Sequence, residues 1–344
     1  MRNLKHVSVR WLPAAGVVLL MLLSLPTAAT ELFTPEPARL RLEAYTGISW
    51  GRAGEYVYDS ETSVPDADLL SQLDWDIDNV IEFGLQGEIE LGYGIFTGGG
   101  FAALLPGRSG GMTDRDWIPG EQRLDPDDQQ SPTHRSDHDN YVLGGYAADL
   151  HMGWRYYGNR WLLAPRAGYT QRYITFDARD GSYTYPSSSG EFFGTVISYR
   201  QHHRIPYIGV SVAAEPYPRI MLQLDGQYSP LVVVDAVDHH YRREDGGSGG
   251  IEFYDYPRGG QFIAGGLRIG IRASDASLFW VEITGELVPE FRGSARAMPT
   301  DSGQVFPAGT AGASLRRVRI STGISLFGSL LREAPYQSYN IQDK

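Results

Sequence analysis

Arg317-Val318-Arg319-Ile320-Ser321-Thr322-Gly323-Ile324-Ser325-Leu326 alternates polar and apolar residues along most of its length. Successive side chains of a strand point to opposite faces. Val318, Ile320, Thr322, Ile324 and Leu326 therefore share one face, and Arg317, Arg319, Ser321 and Ser325 the other. The same period recurs at Leu40–Ile48, Ile81–Ile89, Ile220–Tyr228, Leu267–Ile271 and Phe279–Leu287. A soluble sandwich alternates too. Here, however, the polar face carries charges or glycine over about ten residues, the length of a tilted strand that crosses a bilayer. The reading is an all-β chain: a transmembrane antiparallel β-barrel of about ten strands, closed so that every backbone group at bilayer depth is paired.

Polar stretches punctuate the strands. Pro106–Asn140, His239–Gly260 and Arg292–Gly312 read as long loops. Tyr156–Asn159, Glu215–Pro218 and Arg272–Asp275 read as short turns. Long loops on one rim and short turns on the other are the asymmetry of outer-membrane barrels.

The N-terminus has its own logic. Arg2, Lys5 and Arg10 precede an apolar run, Ala14–Leu25, too short to span a bilayer as a helix. Thr27-Ala28-Ala29 offers small residues for a signal peptidase. Residues 1–29 are thus expected to be a signal peptide, 30–327 the barrel domain and 328–344 a polar C-terminal tail. No later segment has 18 consecutive apolar residues. The formal net charge of -11 argues against nucleic acid as a partner. The absence of cysteine excludes disulfides and thiolate metal sites.

Two short motifs carry chemistry. In Asp238-His239-His240-Tyr241, Asp238 and His240 share a strand face; in Thr113-Asp114-Arg115-Asp116-Trp117, Asp114 and Asp116 do. Two such pairs facing each other across a closed sheet would hold and activate a water molecule. Taken alone, Asp114 and Asp116 also read as loop acids beside a glycine turn. Asp238-His239-His240 also fits a His/Asp metal site, with His134, His138, His202 or His203 as further ligands. Such a site needs three or four ligands.

Five pieces in this order resemble the omptin family, outer-membrane endopeptidases of Gram-negative bacteria built as ten-stranded barrels. They are Ser71–Trp75, Gly110–Trp117, Ala178–Tyr183, Pro206–Gly209 and Asp238–Tyr241, within a similarity running from about Phe33 to Phe327. The resemblance places the family's catalytic residues on Asp114, Asp116, Asp238 and His240. It implies hydrolysis of peptides or surface proteins at the external rim by direct attack of water, with no metal cofactor, by a monomer. Of the acidic pocket that takes a basic residue before the cut, one acid matches Glu55. The other falls on Ala236, and strand alternation turns the adjacent Asp235 to the opposite face, so a preference for basic residues rests on Glu55 alone. His134 matches an accessory histidine. Lipopolysaccharide, the family's lipid activator, would meet Tyr169, with Arg200 and Arg204 nearby; two family arginine positions read Tyr173 and His202. The alternatives are a non-catalytic barrel acting as an adhesin or surface-binding protein, and a porin-like channel.

Overall fold

The computed structural model describes residues 39–59, 69–243 and 249–329. The expected signal peptide and residues 330–344 of the tail lie outside them. Among the described residues there are twelve strands in one antiparallel sheet: β1 (Arg39–Tyr58), β2 (Leu69–Gly92), β3 (Ile95–Leu104), β4 (Gly107–Asp116), β5 (His134–Trp154), β6 (Tyr156–Gly158), β7 (Trp161–Tyr185), β8 (Ser188–Tyr217), β9 (Ile220–His240), β10 (Ile251–Ser274), β11 (Ser277–Pro299) and β12 (Phe306–Ser329). The final strand thus ends two residues past Phe327.

The sheet closes on itself. β3 and β4 lie end to end between β2 and β5, interrupted at Leu105-Pro106, because proline offers no donor to the ladder. β5 then pairs with β7, and β6 continues the line of β5. The ring therefore has ten staves. Leu85, Leu150, Ile208, Leu224, Ile271 and Phe279 are exposed on its outer surface. On a soluble protein so large an apolar band would be anomalous; around a barrel it is the lipid-facing belt.

The stretches read as long loops are mostly strand. Of Pro106–Asn140 only 117–133 connects strands; β10 already begins at Ile251, β11 runs to Pro299 and β12 begins at Phe306. The strands of 20 to 30 residues extend far past the 9–11 needed to cross a bilayer. Above the belt the outer face meets water, so alternation fades although the hydrogen-bond ladder continues.

Below the mouth two layers of side chains reach into the lumen. At belt level Arg268 bridges Glu43 (2.9 Å) and Glu282 (3.2 Å), Arg317 bridges Glu82 (3.2 Å) and Glu286 (3.0 Å), and Arg319 bridges Glu82 (2.7 Å) and Glu282 (3.1 Å). Above it Trp75 stacks on Tyr199 at 5.4 Å and meets Phe176 at 5.5 Å. Gln201 of β8 reaches across to the Gly54 carbonyl of β1 (2.9 Å). Cavities remain beside Glu43, Arg268 and Arg319, so the side chains narrow the lumen without filling it. Removing one member of a buried ion network strands its partners in a low-dielectric interior. Glu286→Ala, which takes from Arg172 its carboxylate partner and leaves Arg317 with Glu82 alone, should lower stability by about 3–5 kcal/mol, read as a shift in denaturant-induced unfolding of the detergent-solubilised barrel.

A bulge sets which residues line the upper lumen. In β2 the register slips between Val80 and Ile77, where Asn79 adopts φ 56°. Below it Glu82 faces inward; above it Leu73, Trp75 and Ile77 do. A second irregularity at Gly110 (φ 67°) lies between the inward Ser109 and the inward Met112 of β4. There a Cβ would come within 2.9 Å of the Asp76 side chain. This shift of face aims Asp114 and Asp116 into the barrel.

Candidate functional site

Asp238 and His240 sit at the upper end of β9, facing the lumen between β8 and β10. In register, Asp238 lies opposite Tyr199 on one side and Phe253 on the other. The surrounding β-branched residues, Val232, Val233, Val234 and Val237, favour the extended conformation that puts the two motif side chains on one face. The carboxylate of Asp238 accepts a hydrogen bond from Nε2 of His240, and the imidazole stands edge-on to Phe253 at 5.7 Å.

Across the mouth, β4 presents Asp114 opposite Leu73 of β2 and Ser136 of β5, and Asp116 opposite Ser71 and His134. Ser71 donates to Asp114 at 3.3 Å. Glu55 of β1 opposes Leu73, so Glu55, Leu73 and Asp114 stand side by side on three neighbouring strands. The two motifs, some 120 residues apart in sequence, thus converge at one level, and the charges of Asp114 and His240 act on each other.

The electrostatics follow from burial and crowding. Burial first, then the negative charge of Asp116, pushes the Asp114 carboxyl up to about 8, against the opposing pull of His240. Asp116 is also raised, by burial. Like charges at short range do not both ionise cheaply, so the pair holds one proton near neutrality. Burial alone would lower the affinity of His240 for a proton. The charge and hydrogen bond of Asp238, with Asp114 behind them, outweigh it and raise it above the ordinary imidazole value.

Glu55 is 1% exposed. Burial, followed by the charges of Asp238 and Asp255, raises it well above the carboxylate range. Among the described residues its Oε2 and the Oδ1 of Asp238 have no hydrogen-bond partner. His134 opens β5 beside the acid pair, where its charge acts on Asp116. Its Nδ1 lies 3.0 Å from the Thr133 hydroxyl and its ring stands edge-on to Tyr185 at 4.5 Å. Ala236 faces inward and Asp235 outward, where it pairs with Arg204 and with Arg258 (2.6 Å).

Tyr169, Arg200 and Arg204 do not join this site. They lie on the outer wall of β7 and β8, with Tyr169 opposite Pro206. His202 shares that wall, hydrogen-bonded to Gln171 (3.0 Å), while His203 is buried inside against Gln201 (3.0 Å). These two histidines therefore point to opposite faces and are not brought together with Asp238 and His240. His138 faces inward, held by Ser136 (2.8 Å) and the Asp180 carbonyl (2.5 Å).

Sequence reasoning missed Ser71, Tyr199 and Asp255. Asp255 could have been found from the alternation of Ile251, Phe253 and Asp255 had that segment been read as strand. Nothing local in the sequence marks Tyr199.

Comparison with known proteins places this geometry in context. A family model described as the omptin family matches residues 36–327. The chain is 27% identical over 302 residues to a plasminogen activator of Yersinia pestis, covering 84% of this chain and 89% of that protein. It is 29% identical over 229 residues to the outer membrane protease OmpP of Escherichia coli K12, covering 63% and 68%. The crystal structure of the Escherichia coli outer membrane protease OmpT superposes with a TM-score of 0.77 at 22% identity, covering 87% of this chain and all of that one.

Proposed function

Because the chain belongs to the omptin family of outer-membrane proteases, we propose that it is an endopeptidase that hydrolyses peptide bonds at the extracellular mouth of its barrel. The observation that carries this reading is the convergence of Asp114 and Asp116 from β4 with Asp238 and His240 from β9 above the aromatic layer and the ion network.

The division of labour follows from the residues. Neutral His240 accepts a proton from water as the oxygen attacks the scissile carbonyl. Asp238 fixes the tautomer and stabilises the imidazolium that forms. Asp114 and Asp116, sharing one proton, offer both an acceptor and a donor to the groups opposite. His134 flanks Asp116 and orders that side of the mouth. Digestion of a peptide library by the purified, lipid-reconstituted protein tests the proposal. Turnover supports it. Stoichiometric capture without new termini would instead favour an adhesin.

Lipopolysaccharide is the activator we propose, meeting Tyr169, Arg200 and Arg204 on the outer wall, since arginine forms strong charge-assisted bonds to phosphate. The double variant Arg200→Ala/Arg204→Ala should need about tenfold more lipopolysaccharide, or more, for half-maximal activity. Titration of the refolded protein with the lipid checks it. An unchanged midpoint would remove these arginines from the lipid site.

A further inference from the structure

The outward turn of Asp235 and the methyl group at Ala236 leave Glu55 as the one pocket acid legible in the motif. The tertiary structure adds another carboxylate. Asp255 of β10 lies directly opposite Ala236 in the β9–β10 register and is 3% exposed. Cross-strand neighbours stand about 4.5–5.5 Å apart at Cβ, so the small Ala236 leaves room above itself for the Asp255 carboxylate.

Three buried carboxylates meet here: Glu55, Asp238 and Asp255. Glu55 comes within hydrogen-bond reach of Asp238, and the charges of Asp238 and Asp255 both bear on Glu55. Asp238 has His240 as its counter-charge. Among the described residues, neither Glu55 nor Asp255 forms an ion pair with an arginine or lysine. The buried Oε2 of Glu55 has no hydrogen-bond partner among them. Carboxylates taken out of water without a cation are costly, and burial with the neighbouring charge of Asp238 raises the proton affinity of Glu55 and Asp255. An incoming cation would supply the counter-charge.

We infer that Asp255 is a specificity-determining residue: with Glu55 it forms an acidic well that receives the positively charged side chain of a substrate arginine or lysine beside the scissile bond. It does from the neighbouring strand what position 236 cannot do from its own. The inference rests on the protease reading above.

The test compares two peptides that differ only in arginine against citrulline at the cleaved position, the second being isosteric and uncharged. The wild-type protein, reconstituted with lipid, should prefer arginine in kcat/KM by about tenfold or more. Asp255→Asn should reduce that ratio several-fold, with the loss falling on the arginine peptide. A wild-type ratio near one overturns the inference, as does a ratio that Asp255→Asn leaves unchanged. If Asp255→Asn loses the heat-modifiable migration of the folded barrel, Asp255→Ala is read in its place against the same two criteria. Failure of the wild-type protein to cut either peptide would sink the protease reading itself and this inference with it.

Discussion

His240→Ala should cut peptide cleavage by about 10²–10⁴-fold, the usual worth of a general base, and leave the barrel folded. The imidazole sits at the rim, above the aromatic layer and the ion network that hold the lumen, so its removal breaks neither. Asp238→Asn should cost a comparable factor for a different reason. An amide does not supply the charge that stabilises the imidazolium, and it can hold the ring in the wrong tautomer. The two effects should not add, since both act through one proton transfer. In Asp238→Asn the affinity of His240 for a proton should also fall, because Asp238 is the main group raising it. The acid limb of the residual activity should then move to lower pH. Initial rates across pH, with heat-modifiable migration as the check on folding, decide the matter. Full activity in His240→Ala would end the mechanism.

Removing both Asp114 and Asp116 as alanines should cost at least about 10²-fold, the scale of a misplaced reacting group. The single change Asp114→Asn is more informative, because it separates position from charge. His240 accepts a proton only when neutral, and its affinity is raised, so wild-type activity should climb as pH rises through a value above the ordinary imidazole one of about 6.5. The acid pair loses its shared proton near the raised value of about 8. Above that, two negative charges face the site and the donor is gone, so activity should fall. Asp114→Asn keeps a donor at every pH and should abolish this alkaline limb while lowering the maximum rate. An alkaline limb unchanged in Asp114→Asn would show that the pair's proton plays no part.

Much of the fold was legible in the chain. Alternation over Val318–Leu326 and its recurrences placed the membrane-crossing strands, and the chain reverses at the ends of the three stretches read as short turns, at 159–160, 218–219 and 275–276, although Tyr156–Gly158 is itself strand β6. The extension of the strands above the membrane was not legible. There the outer face meets water and the apolar residues, Leu73, Trp75 and Ile77 among them, turn inward, the reverse of the belt, and the ladder is maintained by neighbours distant in sequence. The candidate site was half legible. The i, i+2 spacing put Asp238 with His240, and Asp114 with Asp116, on shared strand faces, but it was the family resemblance that set the acid pair apart from ordinary loop acids. Asp255 was not singled out, because the segment around it reads as a loop.

The amino-acid order by itself determined the period of two along each strand, the apolar face toward lipid and the pairing of proton-handling residues on one face, since these depend only on neighbours a residue or two away. The tertiary structure decided what faces what: the irregularities at Asn79 and Gly110 that turn Trp75 and Asp114 inward, the ten-stave closure that sets β4 across from β9, and the register that lays Asp255 over Ala236. Those relations join residues far apart in the chain, and backbone hydrogen bonds, being the same for every residue, leave no trace of their partners in the sequence.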